Sequence, residues 1–369
     1  MKRLFLLILA SFACRADWLV HPPAQRAAIE RRGDEIVASN GLIRRVWRIQ
    51  PDAATVAFDN LMTGESLLRG VKPEAEVALD GVRYAIGGLK GQVEYAYLRR
   101  EWIAGLQADP DAFHLEGYET GATQERFPYR RKKFSSDRPW PPPGAAVTFH
   151  YRSARLAGVA VDVHYELYDG VPLLAKWLTV RNNTGRAIQL DTFASEVLAV
   201  VESESIVEGA GGGRTRHLQV ESDYSFIATH SRPDTNLVAH WEPDPQYTTQ
   251  VNYLLQSPVL LRCYPPLGPD VSIAPGGRFE SFRIFELVHD STDRERMGLA
   301  QRRMYRTIAP WALENPILMH VRQADPASVR LAIDQSADAG FEMVIMTFGS
   351  GFDIEKEDPA YLSQVKSLV

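Results

Sequence analysis

Asp353 and Glu355 stand two residues apart in the glycine-punctuated stretch TFGSGFDIE, residues 347–355. Carboxylates on such a loop accept hydrogen bonds from ligand hydroxyls, and loops at strand ends are where a rigid scaffold carries its binding groups. A second candidate is HWEPDPQYTTQ (240–250), read as a proline-stiffened loop crowded with Trp241, Glu242, Asp244 and Tyr247. Aromatic faces stack on sugar rings while carboxylates hold their hydroxyls. A third is RFPYRRKKFSSDRPWPPPG (126–144), where Tyr129 and Trp140 flank the basic run Arg130 to Lys133. The first and third have an ordinary structural reading as well: loop carboxylates ahead of an Asp358 helix cap, and a solvated basic loop.

Other chemistries find less support. No two of the nine His residues lie three to five positions apart, and no Cys joins them, so no metal site is expected. EGAGGGRTR (208–216) lacks the Lys-Ser/Thr pair of a phosphate loop and reads as a flexible glycine loop. No cofactor is implied. His150 and His164 sit on strands, where histidines are more often satisfied structural residues than proton carriers.

Charge narrows the partners. The 369 residues carry 41 basic and 46 acidic side chains, a formal net charge of -5, which favours neither nucleic acid nor an anionic membrane surface. The start, MKRLFLLILASFACRADW, has the basic, apolar and small-residue order of an export signal, with cleavage expected near Ala16. Its apolar run is too short to span a bilayer, so no integral membrane segment is expected after cleavage. Cys14 raises the alternative of a lipid anchor, but the residue three positions earlier is Ser11 rather than an aliphatic one. A periplasmic or extracellular protein is the expectation. The mature chain then keeps Cys263 alone and forms no internal disulfide.

The elements that must position these residues change character along the chain. From about Asp34 to Leu287 runs such as EVALDGVRYAIGG, PLLAKWLTVRNN and RFESFRIFELV alternate apolar and polar residues and break at Asn-Gly, Asp-Gly and Thr-Gly turns. That is the period of antiparallel strands in a large sandwich, from which 126–144 and 208–216 should project. STDRERMGLAQRRMYRTI then places Met297, Ala300, Met304 and Ile308 on one stripe of an amphipathic helix capped by Ser291 or Thr292. PILMHV, DPASVRLAIDQSADAG, FEMVIMTF and DPAYLSQVKSLV follow as strand, helix, strand, helix, each helix opening on Asp-Pro (Asp325, Asp358) and the first closing on Gly340. The expected division is a signal over 1–16, a β-sandwich over 17–290, a linker helix over 291–312 and a βαβα segment over 313–369.

Three stretches carry a resemblance. ELYDGVPLLAKWLTVRNNTG (166–185), IAPGGRFESFRIFELVHDS (273–291) and APWALENPILMHV (309–321) resemble the sandwich strands and barrel approach of glycoside hydrolases of the α-galactosidase (melibiase) clan. The resemblance implies an antiparallel supersandwich of the galactose-mutarotase type, followed by the first two βα units of a TIM-type (β/α)8 barrel. It implies a carbohydrate substrate, terminal glycosides cleaved with retention, and no cofactor; an oligomer stays open. Retention needs two carboxyl groups about 5 Å apart, one attacking and one protonating the leaving oxygen. In that clan they stand on about the fourth and sixth barrel strands, and this sequence supplies two, so the chain reads as the amino-terminal portion of an enzyme and is expected to be inactive alone. Where the clan carries Asp-Asp-Gly-Trp at the second strand's tip, this chain has Thr347 and Phe348 before Gly349, and hydroxyl binding would pass to Asp353 and Glu355. Two alternatives stay beside this reading: a non-catalytic carbohydrate-binding sandwich, and a mutarotase- or lyase-like sandwich enzyme using His150 or His164.

Overall fold

The computed structural model describes residues 17–131, 137–202, 217–224, 237–311 and 316–369. The signal expected over 1–16 and the glycine loop 208–216 lie outside the described residues. The chain divides into two compact units, residues up to 126 with 140–304, and 127–139 with 305–369.

In the first unit every described strand ladder is antiparallel. Its largest sheet runs in the order His114–Ala122, Gly144–Arg152, Val159–Tyr168, Leu173–Asn182, Ile284–Val288, Leu218–Ser222, with Arg278–Glu280 also pairing with Leu173–Asn182. Alternation decides which side chains meet: Val147, Phe149 and Tyr151 are buried in the core while Thr148 and His150 take the opposite face. Three smaller sheets supply the other side of the same core, through Ile36, Trp47 and Phe58, through Val77 and Leu190, and through Leu198 and Leu261. A main apolar layer shared by facing sheets makes this a sandwich. The hairpin of Ala75–Leu79 and Val82–Ile86 shows how the sequence sets its turns: Asp80 and Gly81 have φ of 50° and 78°, the left-handed pair that matches strand twist.

The core also holds charge. Arg45, fully buried beside Trp47, donates to Glu196 at 2.9 Å and Glu286 at 3.0 Å, and lies 4.0 Å from Glu74. Lys176 donates to Glu196 at 2.8 Å, and Trp47 to Glu74 at 3.1 Å. Tyr165 also donates its hydroxyl proton to Glu74. Burial would raise the Glu196 carboxyl, but Arg45 and Lys176 overcome that and hold it at about 2. Glu286 goes the other way, pushed well up by burial and by the charge on Glu196. Its Oε1 is buried with no hydrogen-bond partner among the described residues, while its Oε2 accepts from Arg45.

Helix α1 spans Arg294–Ile308. Ala300, Met304 and Ile308 of the expected stripe are buried and Met297 half-buried. Its cap is neither Ser291 nor Thr292. Asp293 accepts from Arg296 N at 2.8 Å, and Ser291 instead braces Asp293 by accepting from its N–H at 3.0 Å.

In the second unit the strands Leu318–His320 and Met343–Ile345 pair in parallel, and helix α2 (Pro326–Ala339) crosses between them. Asp325 caps α2 by accepting from Ala327 N and Ser328 N, and Gly340 ends it at φ 74°. Helix α3 (Pro359–Lys366) opens under Asp358, which accepts from Tyr361 N at 2.8 Å. Val321, Val329 and Ala332 form its small core, with Met319 and Val344 packed against them. The stretch FEMVIMTF keeps only three paired residues, because its partner strand is equally short and a 3-10 turn begins at Phe348. Of the segment 126–144, expected to project from the sandwich, Phe127 and Tyr129 group with this unit, lying 5.0 and 5.1 Å from Trp311.

Candidate functional site

Parallel pairing sets the carboxyl ends of Leu318–His320 and Met343–Ile345 side by side. His320 Nε2 lies 3.0 Å from Thr347 Oγ1, linking the two strand ends. A reciprocal turn then stiffens the tip: Thr347 N donates to Ser350 Oγ at 2.9 Å, and Ser350 Oγ to Thr347 O at 2.8 Å. Phe348, on this turn, is 90% exposed. Beyond it, Asp353 N donates to the Tyr361 hydroxyl of α3 at 2.8 Å, and Asp353 Oδ1 accepts from Glu355 N at 3.0 Å. The first carboxylate is thus fixed by its own loop, while that of Glu355 has no hydrogen bond or ion pair among the described residues. The tip offers hydrogen bonding to a polar ligand through two carboxylates, a threonine hydroxyl and an imidazole.

The remaining candidates fall in the sandwich unit. Ala239–Glu242 is a strand paired with Leu260–Cys263, so the first part of the expected loop is regular structure. Trp241 stands opposite Leu261 and packs against the core, whereas Glu242 accepts from the Tyr264 hydroxyl at 2.8 Å and from Arg262 at 3.4 Å on the other face. Asp244 is buried between Arg69 (2.7 Å) and Lys72 (2.9 Å), and Tyr247 lies under the Arg69 guanidinium at 4.4 Å, so both serve the fold. Trp140 donates to Glu125 at 3.0 Å with Arg126 5.5 Å from its ring.

His164 has both ring nitrogens engaged, with Thr148 at 3.0 Å and Thr179 at 2.9 Å, and stacks on Trp177 at 4.8 Å. Burial lowers it to about 4, so it is neutral at pH 7 and unsuited to carrying a proton. His150 bonds Asp162 through Nδ1 at 2.8 Å, and Arg181 holds the other oxygen of that carboxylate at 2.7 Å. Among the described residues no three His, Cys, Asp or Glu side chains converge to hold a metal ion. Sequence reasoning missed His320, Glu76, Arg262 and Tyr264. Glu76 and Arg262 were legible only as charged residues on the outward phase of otherwise apolar strands, and their meeting needs two strands of different sheets, 186 residues apart in the chain, to come side by side.

No protein-family model matches the chain, and no curated protein matches it in sequence. Among solved structures, an alpha-galactosidase from Lactobacillus brevis shares 11% identity over 85% of this chain and 48% of its own, with a TM-score of 0.44. A GH36 alpha-galactosidase from Geobacillus stearothermophilus shares 10% over 92% and 55%, with a TM-score of 0.45. The galactosidase domain of an alpha-galactosidase-sucrose kinase shares 9% over 86% and 51%, with a TM-score of 0.46. This chain spans about half the length of those structures, and over most of its own length it is similar, at low identity, to GH36 alpha-galactosidases.

Proposed function

We propose that this chain is the sandwich-bearing portion of an exported glycoside hydrolase that cleaves terminal glycosides of oligo- or polysaccharides with retention. In this reading the parallel β-α-β-α segment is the start of a (β/α)8 barrel, and the tip from Thr347 to Glu355 is part of the substrate-binding lip. The nucleophile and the acid/base stand on further βα units of a longer polypeptide. The observation that carries the reading is local: an antiparallel sandwich is followed by α1 and a parallel strand pair whose carboxyl ends gather His320, Thr347, Asp353 and Glu355. In parallel βα architectures that end of the strands carries the site. The test is release of nitrophenol from a panel of α- and β-glycosides, measured for purified residues 17–369 and for the polypeptide encoded by the complete reading frame. Turnover is expected only from the latter. Turnover by 17–369 that vanishes in Asp353→Asn would place the chemistry inside this chain and overturn the division of labour.

A further inference from the structure

A second polar concavity lies on the outer face of the sandwich, where Ala75–Leu79, Ile188–Ala194 and Leu260–Cys263 come together. Two irregularities open it. The strand Ile188–Ala194 bulges between Leu190 and Thr192, which turns Asp191 and Thr192 toward the hollow, and chain pairing changes sheets at Ser195. The loop Tyr264 to Gly268 forms one wall, with Leu267 80% exposed at its lip. The volume is about 400 Å³, enough for one or two sugar rings.

Its floor is pre-organised. Arg262 donates to Glu76 at 2.6 Å and to Glu242 at 3.4 Å, Tyr264 fixes the second oxygen of Glu242 at 2.8 Å, and His240 stacks on the Tyr264 ring at 3.8 Å. Four groups facing the hollow keep unused capacity among the described residues: the Arg83 guanidinium, the Thr192 hydroxyl, one oxygen of Glu76 and one of Asp191, whose other oxygen accepts from Gly81 N at 2.7 Å. Donors and acceptors therefore alternate around the hollow, as vicinal hydroxyls require. Charge selects further. Glu76 and Asp191 line the hollow against Arg83 and Arg262, with Glu242 behind Arg262, so the charges of the lining balance and neither an anion nor a cation is favoured over a neutral ligand. Pro266 and Leu267 add an apolar wall for ring C–H groups.

The geometry points to a saccharide-binding site in this cleft for a neutral sugar, separate from the tip in the other unit and independent of whether the protein hydrolyses anything. The affinity expected from one small, half-open site is on the order of 1 mM. Purified residues 17–369 are titrated by ligand-observed NMR with neutral mono- and disaccharides, and with glucuronate and glucosamine as charged counterparts. At least one neutral sugar is expected to bind, with both charged ones at least about tenfold weaker by the charge argument. Arg83→Ala and Thr192→Val, which remove no side-chain hydrogen bond or ion pair among the described residues, should each weaken binding about fivefold or more, one lost hydrogen bond's worth. Asp353→Ala and Glu355→Ala should leave it unchanged, which separates this site from the proposed lip. A folded protein that binds no sugar, binds glucuronate or glucosamine as well as neutral sugars, or binds undiminished in Arg83→Ala and Thr192→Val overturns the assignment.

Discussion

Arg45 and Arg262 are both clasped by glutamates, within one sandwich unit, and the two clusters do opposite things. Arg45 is 1% exposed and faces Glu74, Glu196 and Glu286 in the middle of the core. Arg262 is 22% exposed and faces Glu76 and Glu242 on the outer surface. Residue types are the same; access to water differs. In the core every charge must be answered by another protein group, so the cluster fixes packing and leaves nothing for a ligand. On the face, water serves the spare valences, and a ligand that replaces water can use them. The lesson is that a carboxylate and guanidinium cluster becomes a candidate site through its exposure and spare valences, not through its composition.

The sharpest way to break this contrast is to remove each arginine. Arg45→Met leaves two or three buried carboxylates facing one lysine, and is expected to lower stability by about 3–5 kcal/mol, the usual cost of orphaning a buried ion pair. Arg262→Met should lose no more than about 1 kcal/mol, since its partners rehydrate. Urea denaturation followed by tryptophan fluorescence reads both. Equal losses would mean that the outer cluster is as structural as the inner one, and the cleft would no longer stand apart.

That difference was only half legible in the sequence. Period-two alternation made the sandwich readable, and Asp80-Gly81 announced its hairpin. Asp325-Pro326 and Gly340 likewise marked both ends of α2. Arg45, Lys176, Glu196 and Glu286 break the alternation, since each falls on the apolar phase of its strand, between residues such as Ile43 and Trp47 or Leu174 and Leu178. Strand parity puts these charged residues on the core side, a signal left unused in reading the sequence, and parity does not say which would pair, because Arg45 and Glu286 are 241 positions apart. Trp241 misled for the converse reason: neighbouring prolines suggested a loop, whereas strand pairing with Leu260–Cys263 turns its ring to the core. The candidate tip was readable because its residues are consecutive. His320 joined it only through parallel pairing across α2.

A smaller change sharpens the account of the inner cluster. The Glu286 carboxyl is pushed well up in the fold by burial and by the charge on Glu196. A carboxyl raised in the folded state stabilises most below its unfolded pKa of about 4.3, and loses that contribution as pH rises toward the folded value. Glu286→Gln keeps the shape and removes the ionisation that burial opposes, so at pH 7 the variant is expected to match or exceed the wild type by about 1 kcal/mol. Its advantage should shrink as pH falls toward 5. Glu196 has the opposite sign: held at about 2, it contributes stability above its unfolded pKa that is lost as pH falls toward 2. Glu196→Gln should therefore be the more damaging substitution at pH 7, and the reverse order would exchange the protonation states of the pair.

The smallest effects are expected at the tip, where the comparison extends to carboxylates with almost no structural duty. Glu355 makes no side-chain hydrogen bond or ion pair among the described residues, and Asp353 Oδ1 holds one exposed turn. Glu355→Gln should leave the stability of residues 17–369 within about 0.5 kcal/mol of wild type, and Asp353→Asn only slightly more affected, as for exposed sites generally. A function there shows elsewhere. If these groups hold substrate hydroxyls equally in the ground and transition states, Glu355→Gln in the longer polypeptide proposed above raises KM several-fold with kcat unchanged. A fall in kcat at constant KM would instead assign Glu355 to the transition state, and unchanged values of both would leave the tip a plain surface loop ahead of α3.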